Sequence, residues 1–164
     1  MMKGTGGCIC GRLRYEARKP PLRVTICHCR FCQRATGSAF MVEPVFDSGD
    51  LTVTAGEPTV YAHLSQGSGK RVDVHFCANC GTKLFLTFER FPGATGVYGG
   101  TFDDPDWYER TPAVTKHIFL GVGMAGTVVP AGFNCFEEHA MTNAGDPIEP
   151  HRFDEPMALK GRSG

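Results

Sequence analysis

The chain has 164 residues, 41% hydrophobic and 10% aromatic, enough to build one core. Seventeen Lys and Arg balance 17 Asp and Glu, which removes any electrostatic case for nucleic acid or an anionic membrane as the main partner. Met1 to Gly7 carries no apolar stretch of signal-peptide type, and no run approaches the roughly 18 apolar residues of a membrane span. A cytoplasmic location without a membrane partner is therefore expected. Thiols stay reduced there, so eight cysteines read as metal ligands rather than disulfides.

In chain order, period-two alternation starts where Leu13, Tyr15 and Ala17 alternate with Arg12, Arg14 and Glu16. Val24 and Ile26 lead directly into Cys27. A short helical turn is predicted over 31–36, ended by Gly37 as a C-cap. Further strands are predicted over 40–46, 51–55, 59–63, 72–76, 83–88, 96–99 and 116–122. Asp47-Ser48-Gly49-Asp50, Gly67-Ser68-Gly69, Pro92-Gly93 and Asp103-Asp104-Pro105-Asp106 mark turns between them. Twenty-one glycines and 11 prolines suit many tight turns better than helices. The fold class is mainly β, with small antiparallel sheets around metal sites. One domain is expected over residues 1–143. An irregular tail over 144–164, with Pro147, Pro150 and Pro156, packs on it or trails from it.

Three cysteine clusters occur: Cys8-Ile9-Cys10, Cys27-His28-Cys29-Arg30-Phe31-Cys32, and Cys77-Ala78-Asn79-Cys80-Gly81. Side chains at i and i+2 of a strand share a face, so a C-x-C pair can grip one ion. A C-x-x-C turn folds two sulfurs around a metal, and Gly81 fits a position where positive φ is needed. Structural zinc takes four protein ligands, whereas catalytic zinc commonly keeps three and an open position. Seven clustered cysteines thus divide into four plus three. The natural partition joins Cys8 and Cys10 with Cys77 and Cys80, leaving Cys27, Cys29 and Cys32 as an open site. Exchanging the pairs, or completing the triplet with His28, His117 or Cys135, remains a competing arrangement. So do disulfides, an iron–sulfur cluster and two purely structural zinc ions. Cys135 itself reads as an ordinary half-buried thiol.

Three thiolates on a dication leave a net negative site, a poor activator of water but suited to taking a fourth thiol as thiolate. An aldehyde is the natural electrophile for such a sulfur. Arg30 and Arg34, spaced i, i+4 around the triplet, are candidates for holding a carboxylate of an anionic thiol.

The residues resemble a known family, the glutathione-dependent formaldehyde-activating enzymes, whose domain is shared with centromere protein V. The resemblance rests on Gly7-Cys8-x-Cys10-Gly11, on Cys27-His28-Cys29-x-x-Cys32 with Thr36-Gly37-Ser38, and on Phe76-Cys77-x-x-Cys80-Gly81-Thr82-x-Leu84. Gly100-Thr101-Phe102-Asp103-Asp104-Pro105 and Lys116-His117-Ile118 extend it, for a span of about residues 4–140. It implies a β-tent fold, a structural zinc on Cys8, Cys10, Cys77 and Cys80, and a catalytic zinc on Cys27, Cys29 and Cys32, hence two zinc ions per chain when fully loaded. The activity implied is carbon–sulfur lyase chemistry that joins formaldehyde to glutathione as S-hydroxymethylglutathione. The alternative functions are a non-catalytic zinc module for a protein or nucleic-acid partner, and a thiol or zinc sensor.

Overall fold

The computed structural model describes residues 3–161; Met1, Met2 and the last three residues of the expected tail lie outside them. The chain is mainly β. In order, the strands are β1 (Gly4–Gly7), β2 (Arg14–Ala17), β3 (Arg23–Cys27), β4 (Met41–Asp47), β5 (Leu51–Ala55), β6 (Thr59–Leu64), β7 (Arg71–Phe76), β8 (Lys83–Phe88) and β9 (Ala94–Val97). After them come β10 (Thr115–Ile118), β11 (Val128–Val129), β12 (Asn134–Cys135) and β13 (Met157–Ala158). The helix α1 (Arg30–Thr36) follows β3. Backbone contacts divide the chain into two compact units.

The first unit holds residues 1–23 and 43–109. In it β1, β2 and β5 form one antiparallel sheet in that order, and β4, β9, β8, β7 and β6 follow one another in a second. Alternation explains the buried face: Tyr15 and Ala17 point inward while Arg14 and Glu16 stay partly exposed. Phe102 meets Tyr15 edge-on at 5.3 Å, and Phe46 stacks on Trp107. The glycine-rich β1 is not among the predicted strands, because it lacks apolar alternation. Its glycines are needed for close approach: a Cβ on Gly6 would lie 2.3 Å from the Tyr15 hydroxyl and 2.6 Å from the Thr101 carbonyl oxygen.

The second unit holds residues 24–42 and 110–164. There β10 lies between β3 and β12 and runs parallel to both, an exception to the expected antiparallel pairing. Its register sets Ile118 beside Cys27, and His117 beside Ile26 and Cys135. The strand predicted over 116–122 stops at Ile118, because Phe119 takes φ +62° and a 3₁₀ turn covers Leu120–Val122. No ladder continues through a left-handed residue. The expected helical turn is present as α1, with Gly37 at φ +69° as its C-cap. Residues 151–159, for which no strand is predicted, return to the unit. His151 and Cys135 exchange backbone hydrogen bonds, and β13 pairs with β11. Leu159 and Phe153 pack on buried Leu120, Val129 and Cys135.

Candidate metal centres

Within the first unit, two turns of the same design face each other. One connects β1 to β2 and carries Cys8 and Cys10; the other connects β7 to β8 and carries Cys77 and Cys80. Each closes by a backbone N–H folding back on the first cysteine: Gly11 to the Cys8 carbonyl at 3.0 Å, Gly81 to the Cys77 carbonyl at 2.8 Å. Gly11 and Gly81 both have φ +74°, the conformation the sequence asks of Gly81. A register shift between His75 and Phe76 bends β7 into its turn.

The four sulfurs all lie within 4.8 Å of one another. Cys8 and Cys10 are 3.5 Å apart, and Cys10 and Cys77 are 3.7 Å apart. Four sulfurs held tetrahedrally at the usual zinc–sulfur bond length would be about 3.8 Å apart, so the spacing fits a four-thiolate site. Donors are already aimed at the sulfurs. The Leu13 N–H donates to Cys8 Sγ at 3.2 Å, and Thr82 Oγ1 lies 3.2 Å from Cys80 Sγ. That contact with Thr82 brings the Cys80 thiol down to about 5. Thr82 Oγ1 also accepts from the Ile9 N–H at 3.3 Å, joining the two turns through one hydroxyl. Sequence spacing does not point to Thr82.

Within the second unit, Cys27, Cys29 and Cys32 also lie within 4.8 Å of one another. Cys27 ends β3, Cys29 is the N-cap of α1, and Cys32 sits in its first turn. Cys29 Sγ accepts the Cys32 N–H at 3.3 Å, the bond an N-cap side chain makes. Hydrogen bonds from Cys27 and then Cys32 hold the Cys29 thiol down at about 3. Cys27 and Cys29, with burial, push Cys32 well above its ordinary value. Three thiols this close stabilise the first thiolate and penalise the last, and a cation shared among them removes that penalty.

Arg30 and Arg34 are exposed on α1, where Arg30 donates to the Gln33 side chain. The three other candidates for completing the triplet are engaged elsewhere. His28 is fully buried, with Nε2 3.1 Å from His117 Nδ1. Burial pushes both imidazoles down to about 4, so near pH 7 both are neutral and one donates to the other. Cys135 is not half-buried but wholly buried. Its place on β12 beside His117 puts it in the core, where it donates to the Phe133 carbonyl and burial pushes its thiol up to about 11. Among the described residues no fourth Cys, His, Asp or Glu joins the triplet.

Gln33 is a residue that the cysteine spacing does not single out. It is buried on α1, and its Nε2 donates to the carbonyls of His28 at 2.7 Å and Val122 at 3.0 Å. A polar residue four positions before a helix C-cap gives no such signal in sequence.

No helix among the described residues is long and apolar enough to cross a membrane. A protein of Halomonas elongata, assigned by name to the glutathione-dependent formaldehyde-activating enzymes, is 25% identical over 135 residues, 71% of this chain and 86% of its own length. A crystal structure of a Rhodobacter sphaeroides protein is similar at 21% identity with a TM-score of 0.49, covering 60% of this chain and 87% of that one. The family model of the glutathione-dependent formaldehyde-activating enzymes matches residues 3–121, a span that holds all seven clustered cysteines and stops short of the sequence-based span of about 4–140. With most of its length inside that match, the chain belongs to the glutathione-dependent formaldehyde-activating enzyme family.

Proposed function

We propose that the chain is a zinc-dependent enzyme of carbon–sulfur lyase type that joins a thiol, glutathione, to a small aldehyde such as formaldehyde. Cys8, Cys10, Cys77 and Cys80 hold a structural zinc in this reading, and Cys27, Cys29 and Cys32 hold a catalytic one. The observation that carries it is the inequality of the two groups: four sulfurs in one, three in the other with no fourth ligating group among the described residues. A zinc ion on three thiolates supplies a position where an incoming thiol is held as thiolate near neutral pH.

The chain's own residues supply the rest. The capping bond from Cys32 and the contacts with Cys27 favour the ionised form of Cys29. Exposed Arg30 and Arg34 offer guanidinium groups to the carboxylates of glutathione. The net reaction adds the thiol S–H across the aldehyde C=O. A carbon–sulfur bond forms, the carbonyl π pair moves to oxygen, and oxygen takes the proton, so no oxidant or reductant is consumed.

The test is the rate of formaldehyde exchange with glutathione, followed by carbon-13 NMR on protein with both sites filled by zinc. A rate above that of the free thiol and aldehyde, rising in proportion to protein concentration, is expected. A rate equal to the uncatalysed one would overturn the enzymatic reading in favour of a non-catalytic zinc module.

A further inference from the structure

Cys27 and Cys29 flank a residue that faces the other way. Alternation along β3 and its continuation puts the two sulfurs on one side and His28 on the opposite one. There the His28 ring is fully buried, 5.3 Å from the Phe40 ring and 5.4 Å from that of His117. The backbone of His28 is held at both ends: its N–H donates to the Ile118 carbonyl at 3.0 Å, and its carbonyl accepts from Gln33 Nε2 at 2.7 Å. Its side chain is held by His117 through the 3.1 Å bond between Nε2 and Nδ1. Behind it Gly123 is crowded by Leu159 and by the Leu120 carbonyl, and a Cβ there would reach ordinary contact, 3.7 Å, with that of His28.

This arrangement is a poor way to stabilise a core. His28 Nδ1 is buried with no protein hydrogen-bond partner among the described residues, which apolar side chains of similar size would avoid. Nor is the pair placed to do acid–base chemistry, because both rings are sealed from solvent. What a directional bond adds over apolar packing is orientation. His117 is itself fixed by strand register and by the Phe133 ring, which meets it edge-on at 5.3 Å.

The geometry points to His117 as a positioning residue: through its bond to His28 it sets the rotation of the Cys27–Cys29 segment, and so the convergence of the three sulfurs on one ion. The inference rests on reading the triplet as a metal site. Gln33 fixes the same segment from the helix side, so loss of His117 loosens the site without dissolving it.

Cobalt(II) titration of the full chain tests this, with the four-cysteine site first filled by one equivalent of zinc and the visible cobalt–thiolate bands as readout. His117→Leu is expected to weaken cobalt binding at the triplet about tenfold, the lower end of what orienting partners of metal ligands contribute. His117→Asn keeps a polar atom near the place of Nδ1 and should bind within about threefold of the native protein. The double variant His28→Leu/His117→Leu removes both polar partners, so it should remain folded with its four-cysteine site intact while still binding cobalt weakly at the triplet. Native affinity in His117→Leu and in the double variant would overturn the inference, as would a double variant that no longer folds, since the pair would then serve the fold itself. Absence of cobalt binding at the triplet of the native protein would instead sink the metal-site reading beneath it.

Discussion

Cys80→Ser is expected to destabilise the protein by more than about 4 kcal/mol, beyond the range of ordinary single substitutions, and to release one metal ion. The reason lies in what the four cysteines connect. Cys10 and Cys77 are 67 positions apart in sequence, yet their sulfurs are 3.7 Å apart. A metal held there ties the β1–β2 turn to the β7–β8 turn. Without it, the chain must close that loop on hydrogen bonds such as that from Ile9 to Thr82 alone. Cys80 is a better choice than Cys77 for this test. Cys77 is buried, so replacing it would also place a hydroxyl in the core, whereas Cys80 is half-buried and serine differs from it chiefly in the donor atom. Denaturant unfolding of the zinc-loaded protein measures the effect. A loss below about 1 kcal/mol would mean that the four sulfurs converge without a metal that matters to the fold.

Cys29→Ser is expected to do the opposite: leave the fold intact and abolish the chemistry. Cys29 has two roles that serine separates. It caps α1 by accepting the Cys32 N–H, and serine is among the preferred residues at an N-cap. It is also one of only three sulfurs in its group, and a neutral hydroxyl is no substitute for a thiolate. The variant should therefore keep its unfolding midpoint, hold one zinc instead of two, and exchange formaldehyde with glutathione at the uncatalysed rate. Metal analysis beside the NMR assay checks all three. Global unfolding of Cys29→Ser would make the triplet a structural site.

Local features of this fold are readable in the sequence, and those set by distant partners are not. Each cysteine cluster is legible because ligand spacing is local: C-x-C and C-x-x-C state which neighbouring sulfurs can share an ion, and Gly81 marks the turn that allows it, whereas the joining of Cys8 and Cys10 to Cys77 and Cys80 is made by the fold. The strands with apolar alternation, such as β2, β5 and β7, are legible for the same reason. Features that depend on distant partners are not. β1 is glycine-rich because Tyr15 and the Thr101 carbonyl crowd it, and neither is a neighbour in sequence. The parallel pairing of β10 with β3 brings His117 beside Ile26 and within reach of His28, whereas spacing alone offers both histidines only as spare ligands. Phe119 ends β10 in a left-handed conformation that a phenylalanine rarely adopts, so its residue type signals a longer strand. Cys135 looks unremarkable in sequence and proves wholly buried, since its burial comes from β10 and from the return of residues 151–159.

In the proposed function the two cysteine groups are unequal, one closed by the protein and one left for a thiol. A crystal structure of the fully zinc-loaded protein soaked with glutathione tests it most directly. The expected result is a zinc ion bound by Cys8, Cys10, Cys77 and Cys80, and a second bound by Cys27, Cys29, Cys32 and the glutathione sulfur. A fourth protein ligand on the second ion, with glutathione excluded, would contradict it.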